Sequence, residues 1–122
     1  FITAMPRGIV DGVDLQHTGK VRRVDIHGID EVLFNGSIAL VSPLGYSVTG
    51  EIFNLTYTEV ATRIAIELNA DKIIAFTKEN GVLNDNGELQ KQLTLLQCEK
   101  LLLKKETTDS HFSLKACYKA FG

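Results

Sequence analysis

The chain has 122 residues, 44% apolar and 23% charged, which is enough for one hydrophobic core, too little for two, and unlike a disordered or fibrous composition. Thirteen Lys and Arg against fifteen Asp and Glu give a net charge of -2, so no field gathers polyanions and nucleic acid is not an expected partner. Cys98 and Cys117 form no C-x-x-C pair, and no apolar run reaches the ~18 residues of a bilayer crossing, so the reading has no metal site, no disulfide framework, no membrane span and a reduced, cytoplasmic setting.

Phe1-Ile2-Thr3-Ala4-Met5 reads as a strand, and with no Met at position 1 and no basic leader the chain is expected to begin within a fold. Pro6-Arg7-Gly8 and Asp11-Gly12 mark residues 6–20 as loop, because Pro fixes φ and Gly tolerates positive φ. Val21 to Val24 is a short strand. Asp25 then caps a helix that carries Ile26, Ile29, Val32 and Leu33 and stops at Gly36. Ser37-Ile38-Ala39-Leu40-Val41-Ser42 is apolar throughout, as a central strand covered on both faces would be. Tyr46-Ser47-Val48 and Glu51-Ile52-Phe53 flank Thr49-Gly50 as a hairpin.

Thr56 and Glu59 have the T-x-x-E spacing of a capping box, and Val60, Ile64 and Leu68 follow on one helical face. Lys72-Ile73-Ile74-Ala75-Phe76-Thr77 supplies a second buried strand, which makes the helix a right-handed crossover between parallel strands. Asn84-Asp85-Asn86-Gly87 turns a surface hairpin between Gly81-Val82-Leu83 and Glu88-Leu89. Thr94 and Gln97 cap a helix through Leu102 and Leu103, Lys104 to Ser110 is an exposed join, and Ser110 opens a last helix through Phe121. The alternation of strands and helices, without internal repeats, indicates an α/β fold.

His17-Thr18-Gly19-Lys20-Val21-Arg22-Arg23 is the densest polar cluster and a candidate anion site. Arg22 and Arg23, being adjacent in a strand, would face opposite ways and could not clamp one carboxylate together. Neither a P-loop nor a G-x-G-x-x-G motif is present, so nucleotide binding has no local support. Asn54 lies two residues before the Thr56 cap, where its side chain and free helix N–H groups can meet an anion. The plainer account is that Thr56 and Glu59 only cap the helix and that Asn54 serves the turn. His17, His27 and His111 show no spacing to a nucleophile, and both cysteines read as small core residues.

Gly12-Val13-Asp14 and the run His17 to Asp25 resemble the corresponding stretch of bacterial N-acetylglutamate synthases. The resemblance continues through Ser47-Val48-Thr49-Gly50-Glu51, Phe53-Asn54-Leu55-Thr56, Glu59, Ala61-Thr62, Ile64-Ala65 and Gly81-Val82, strong to about Leu89 and weaker to Gly122. It implies an α/β three-layer sandwich of the amino-acid-kinase, carbamate-kinase-like type. Residues 1–122 would form the C-terminal half of that domain, a single partial domain with a mostly parallel central sheet and β-hairpin decorations.

In the related N-acetylglutamate kinases an Asn in this segment binds substrate and an Asp four residues later organises phosphoryl transfer. Asn54 keeps the first, while Thr58 stands at the second, so the kinase carboxylate is lost and catalysis by electrostatic preorganisation is disfavoured. The kinase lysine expected near Phe112 or Ser113 is not evident, and the phosphate-binding Gly-rich loop belongs to the other half-domain. The resemblance therefore implies a non-catalytic sensor of L-arginine, with Asn54, His17 and Thr18 as candidate ligand-binding residues and no cofactor in this stretch. The synthases themselves use acetyl-CoA and L-glutamate through a separate acetyltransferase domain, and a homo-oligomer is expected. The alternatives are an N-acetylglutamate kinase-like phosphotransferase and an oligomerisation module that pairs through an exposed sheet edge.

Overall fold

The computed structural model of the chain describes residues 1–84 and 86–103, together with Lys115, Cys117 and Tyr118. It divides into two compact units, Phe1–Ala70 and Asp71–Gly122. The first holds a four-stranded sheet, a two-stranded hairpin and two helices. In chain order these are β1 (Ile2–Pro6), β2 (Ile9–Val10), β3 (Val13–Asp14), β4 (Gly19–Val24), α1 (Ile26–Phe34), β5 (Leu44–Tyr46), β6 (Ile52–Asn54) and α2 (Tyr57–Glu67).

The sheet runs β4-β1-β5-β6, with β1 parallel to β5 and the two outer pairs antiparallel. The register of β1 on β4 slips once, because Thr3 faces Arg23 and Ala4 faces Val21, which leaves Arg22 as the extra residue of a β-bulge. The bulge restores the inward phase, so Ile2 and Ala4 lie over the buried Val24 and Val21. Arg22, the bulge residue, and Arg23, which faces Thr3, are both exposed. Ile29 of α1 and Val60 of α2 complete a core with Phe53 and Leu55, and burying such side chains is the main stabilising term.

Both expected helix starts hold in this unit. Asp25 accepts from the Gly28 amide and Thr56 accepts from the Glu59 amide. Gly36 ends α1 at φ +76°, a conformation that glycine adopts without steric cost. The predicted hairpin around Thr49-Gly50 is β5–β6, closed by Ser47 N–H donating to the Glu51 carbonyl at 2.8 Å and by Glu51 N–H donating to Ser47 Oγ at 3.1 Å. The segment read as plain loop contains β2–β3, turned by Asp11 and Gly12 at φ 50° and 78°, as in a tight primed hairpin.

The two continuous apolar runs correct the expectation of central strands. Residues 38–42 and 72–77 form no strand, and among the described residues no backbone hydrogen bond links 38–42 or 72–76 to another segment. A strand exists only with a neighbour that takes its N–H and C=O groups. In the first unit Ala39 and Val41 pack against the core while Ile38 and Leu40 are 90% and 91% exposed. The crossover drawn through α2 is consequently not completed by assigned strands.

In the second unit Leu83 bridges Leu89, and the turn between them is held by Asn84 N–H to Glu88 O (2.9 Å) and Gly87 N–H to Asn84 O (3.0 Å), as the Asn-Gly signals predict. Helix α3 (Leu95–Leu102) has the full capping box: Thr94 accepts from the Gln97 amide and Gln97 accepts from the Thr94 amide. Of the last predicted helix, Lys115, Cys117 and Tyr118 are helical; its ends, the join from Lys104 to Ser110, Asp85, and Phe112 and Ser113 lie outside the described residues.

Candidate functional site

The two outer strands of the sheet meet at one end. Thr18, just ahead of β4, forms a parallel bridge with Asn54 at the end of β6, and the Asn54 amide donates to the His17 carbonyl at 2.7 Å. The His17 ring lies 6.4 Å from that of Phe53, inclined at 47°. His17, Thr18 and Asn54, far apart in sequence, are thus brought together, with the side chains of His17 and Asn54 exposed. Gly19 makes the approach possible. A Cβ built there would stand 2.7 Å from Phe53 Cβ and 3.0 Å from the Met5 carbonyl oxygen, closer than packed atoms tolerate.

Helix α2 begins at Tyr57, three residues after Asn54, with Thr56 as its N-cap. Thr58 occupies the first turn, and its carbonyl accepts from Thr62 Oγ1 at 2.6 Å, which satisfies the one buried polar side chain among the described residues. Position 58 thus carries a neutral hydroxyl, and the acidic side chain of this first turn is the neighbouring Glu59.

Glu59 departs from the expected role. Its amide donates to Thr56 Oγ1 at 3.4 Å, but its carboxylate does not turn back to close a capping box. Oε1 accepts from the Val21 amide at 3.0 Å, and Oε2 accepts from Arg7 Nη2 at 2.9 Å. Arg7 in turn donates through Nε to the Gly19 carbonyl at 2.9 Å and through its amide to the Thr18 carbonyl at 3.2 Å. Strand β4 is an outer strand, so the Val21 N–H would otherwise be an unpaired edge donor. The spacing of Thr56 and Glu59 signals a cap and gives no hint of this tertiary use; nothing around Arg7 signals it at all.

Among the described residues Arg22 and Arg23 form no ion pair, and no group of three His, Cys, Asp or Glu side chains is placed to hold a metal. No helix of the described residues is long and apolar enough to cross a membrane. A groove of about 510 Å³ lies between α1 and α2 in the first unit. Ile29, Val41, Val60 and Ile64 line it, and none of its lining side chains is charged, so no ion pair is available there to an amino acid's carboxylate or ammonium. In the second unit Cys98 is buried, and burial, with the neighbouring Cys98 thiol, pushes the Cys117 thiol above its ordinary range. Both cysteines fit the expected packing role better than a reactive one.

Comparison with known proteins places the chain in a family. The chain is 56% identical over 93 residues to an amino-acid acetyltransferase of Ectopseudomonas mendocina, covering 76% of this chain and 22% of the relative. It is 45% identical over 118 residues to an amino-acid acetyltransferase of Aeromonas salmonicida, covering 97% and 27%. The chain therefore spans about a quarter of the length of the curated relatives it matches. The crystal structure of N-acetylglutamate synthase from Neisseria gonorrhoeae, complexed with coenzyme A and L-arginine, superposes with a TM-score of 0.91 at 28% identity, over 98% of this chain and 28% of that one. The amino acid kinase family model matches residues 2–120, and the chain belongs to that family, with its α/β fold.

Proposed function

We propose that this chain is the non-catalytic, arginine-sensing C-terminal half of an amino-acid-kinase-like domain, residues 1–122, in an N-acetylglutamate synthase. That enzyme transfers acetyl from acetyl-CoA to L-glutamate, the first step of arginine biosynthesis. The observation that carries the reading is the superposition on the synthase crystallised with L-arginine, together with Thr58 where the related kinases need an acidic side chain. With no carboxylate at that position, the scaffold lacks the group that would organise phosphoryl transfer. Asn54, His17 and Thr18, brought to one end of the sheet, are the ligand-binding residues of the proposal.

In this reading the stretch itself holds no cofactor, acetyl-CoA and L-glutamate serve the acetyltransferase part, and the protein is a cytoplasmic homo-oligomer. The bare apolar side chains Ile38 and Leu40 of the first unit favour one further role, an assembly surface within that oligomer. The test uses the full-length protein. Production of N-acetylglutamate from acetyl-CoA and glutamate, at a rate that changes with L-arginine, is the expected result; ATP-dependent phosphorylation of N-acetylglutamate would reverse the assignment.

A further inference from the structure

We propose that Asn80-Gly81 is a self-modification site, where the Asn80 side chain closes onto the Gly81 nitrogen and is converted to a mixture of aspartate and isoaspartate. This chemistry is independent of the sensor role proposed above. The sequence holds three Asn-Gly pairs, Asn35-Gly36, Asn80-Gly81 and Asn86-Gly87. Glycine favours the closure more than any other following residue, because without a Cβ it neither crowds the reacting carbon nor restricts the backbone. By residue type the three pairs are equal, and all three asparagines are exposed, so access does not separate them either.

The glycine amides distinguish them. Closure uses the glycine nitrogen as nucleophile, and that nitrogen has to give up its proton and turn toward the asparagine side chain. The Gly36 N–H donates to the Leu33 carbonyl at 3.0 Å where α1 ends, and the Gly87 N–H donates to the Asn84 carbonyl at 3.0 Å in its turn. Each bond holds the proton and fixes the nitrogen. Asn86 is held as well, its own N–H donating to Asn84 Oδ1 at 2.9 Å. Among the described residues no hydrogen bond engages the Gly81 amide or the Asn80 side chain, and neither residue lies in a helix or strand.

The reaction balances with water as its sole co-reactant. The Gly81 nitrogen loses its proton to a solvent base and bonds to Asn80 Cγ, the Cγ–Nδ2 bond breaks, and Nδ2 takes up a proton and leaves as ammonia. Water then opens the succinimide at Cγ, which gives aspartate, or at the Asn80 main-chain carbonyl, which gives isoaspartate. Either product adds a negative charge to a chain whose net charge is -2. Isoaspartate also lengthens the main chain by a carbon, next to a glycine that is closely packed: a Cβ built on Gly81 would stand 2.8 Å from Cδ1 of Leu89, the bridge partner of Leu83.

The experiment ages the full-length protein in mildly alkaline buffer, native and in parallel unfolded in urea. Mass spectrometry of the peptides and isoaspartate-specific methylation follow each Asn-Gly pair. Dividing each native rate by the rate of the same pair in urea removes the influence of neighbouring residues. The normalised rate at Asn80 should exceed those at Asn35 and Asn86 by about two- to tenfold, the factor that one retained backbone hydrogen bond is worth. Asn80→Gln, whose longer side chain closes a larger ring far more slowly, should lose the signal at this peptide while the other two pairs keep theirs. Equal normalised rates at the three pairs, or a faster Asn35 or Asn86, would overturn the proposal. So would a total isoaspartate yield from the native protein that Asn80→Gln leaves undiminished.

Discussion

Gly19→Ala should separate the two strands that carry the candidate site. The added methyl would lie 2.7 Å from Phe53 Cβ, 3.1 Å from Phe53 Cγ and 3.0 Å from the Met5 carbonyl oxygen. None of these is the far end of a flexible side chain, so rotamer changes cannot relieve the overlap and the backbones of β4 and β6 must move apart. Overpacking of this kind costs about 1–3 kcal/mol. Gly19 is not in the left-handed region, so alanine also removes unfolded-chain freedom, worth about 0.4–1 kcal/mol in the opposite direction. The net expectation is a loss of about 1–2 kcal/mol, measured by urea unfolding of the full-length chain. The local signature is more telling than the midpoint, because the Asn54 N–H to His17 O bond should weaken and the Asn54 amide should exchange faster. A variant as stable as wild type, with Asn54 equally protected, would refute the reasoning.

Ile29 is 1% exposed at the centre of the first unit, and Ile29→Ala should destabilise by about 2–5 kcal/mol in the same unfolding assay. Thr94→Ala removes the reciprocal cap of α3 and should cost about 1 kcal/mol, with exchange quickening first at the Gln97 amide. Cys117 should be alkylated by iodoacetamide at pH 8 more slowly than a free cysteine peptide, because burial raises its pKa and lowers the thiolate fraction. The linkage has a definite sign: a raised folded-state pKa means this thiol's contribution to stability is complete below the unfolded-state pKa and is lost as pH rises through the folded value. Peptide mapping of the labelled protein checks the rate.

The parts of the fold that were legible in the sequence are those governed by short-range chemistry. Asp25, Thr56 and Thr94 each precede a helix because their side chains satisfy amides within the next turn, an arrangement visible in a few residues. The Asn84–Gly87 turn is legible for the same reason. Pairing is not local. The runs at 37–42 and 72–77 have the composition of buried strands, but composition records a preference for burial and says nothing about which segment will supply hydrogen bonds. The bulge at Arg22 was hidden because it depends on the register of β1 against β4. The β2–β3 hairpin, by contrast, had a signal in Ile9-Val10-Asp11-Gly12-Val13, an Asp-Gly turn between apolar pairs, although two residues per strand make it short.

The candidate site divides along the same line. His17, Thr18 and Asn54 stood out as polar residues beside glycines and a helix cap, and the structure brings them together. Glu59 was recognised for the wrong partner: its distance from Thr56 fits a cap, while its carboxylate serves Val21 and Arg7, both remote in sequence. Only the folded chain shows that choice.

The most direct test of the central claim is calorimetric titration of the full-length protein with L-arginine and, separately, with ATP plus N-acetylglutamate. The account predicts saturable binding of L-arginine that is weakened by Asn54→Ala, and no heat from ATP. Binding of ATP with N-acetylglutamate, in a protein that ignores L-arginine, would contradict it.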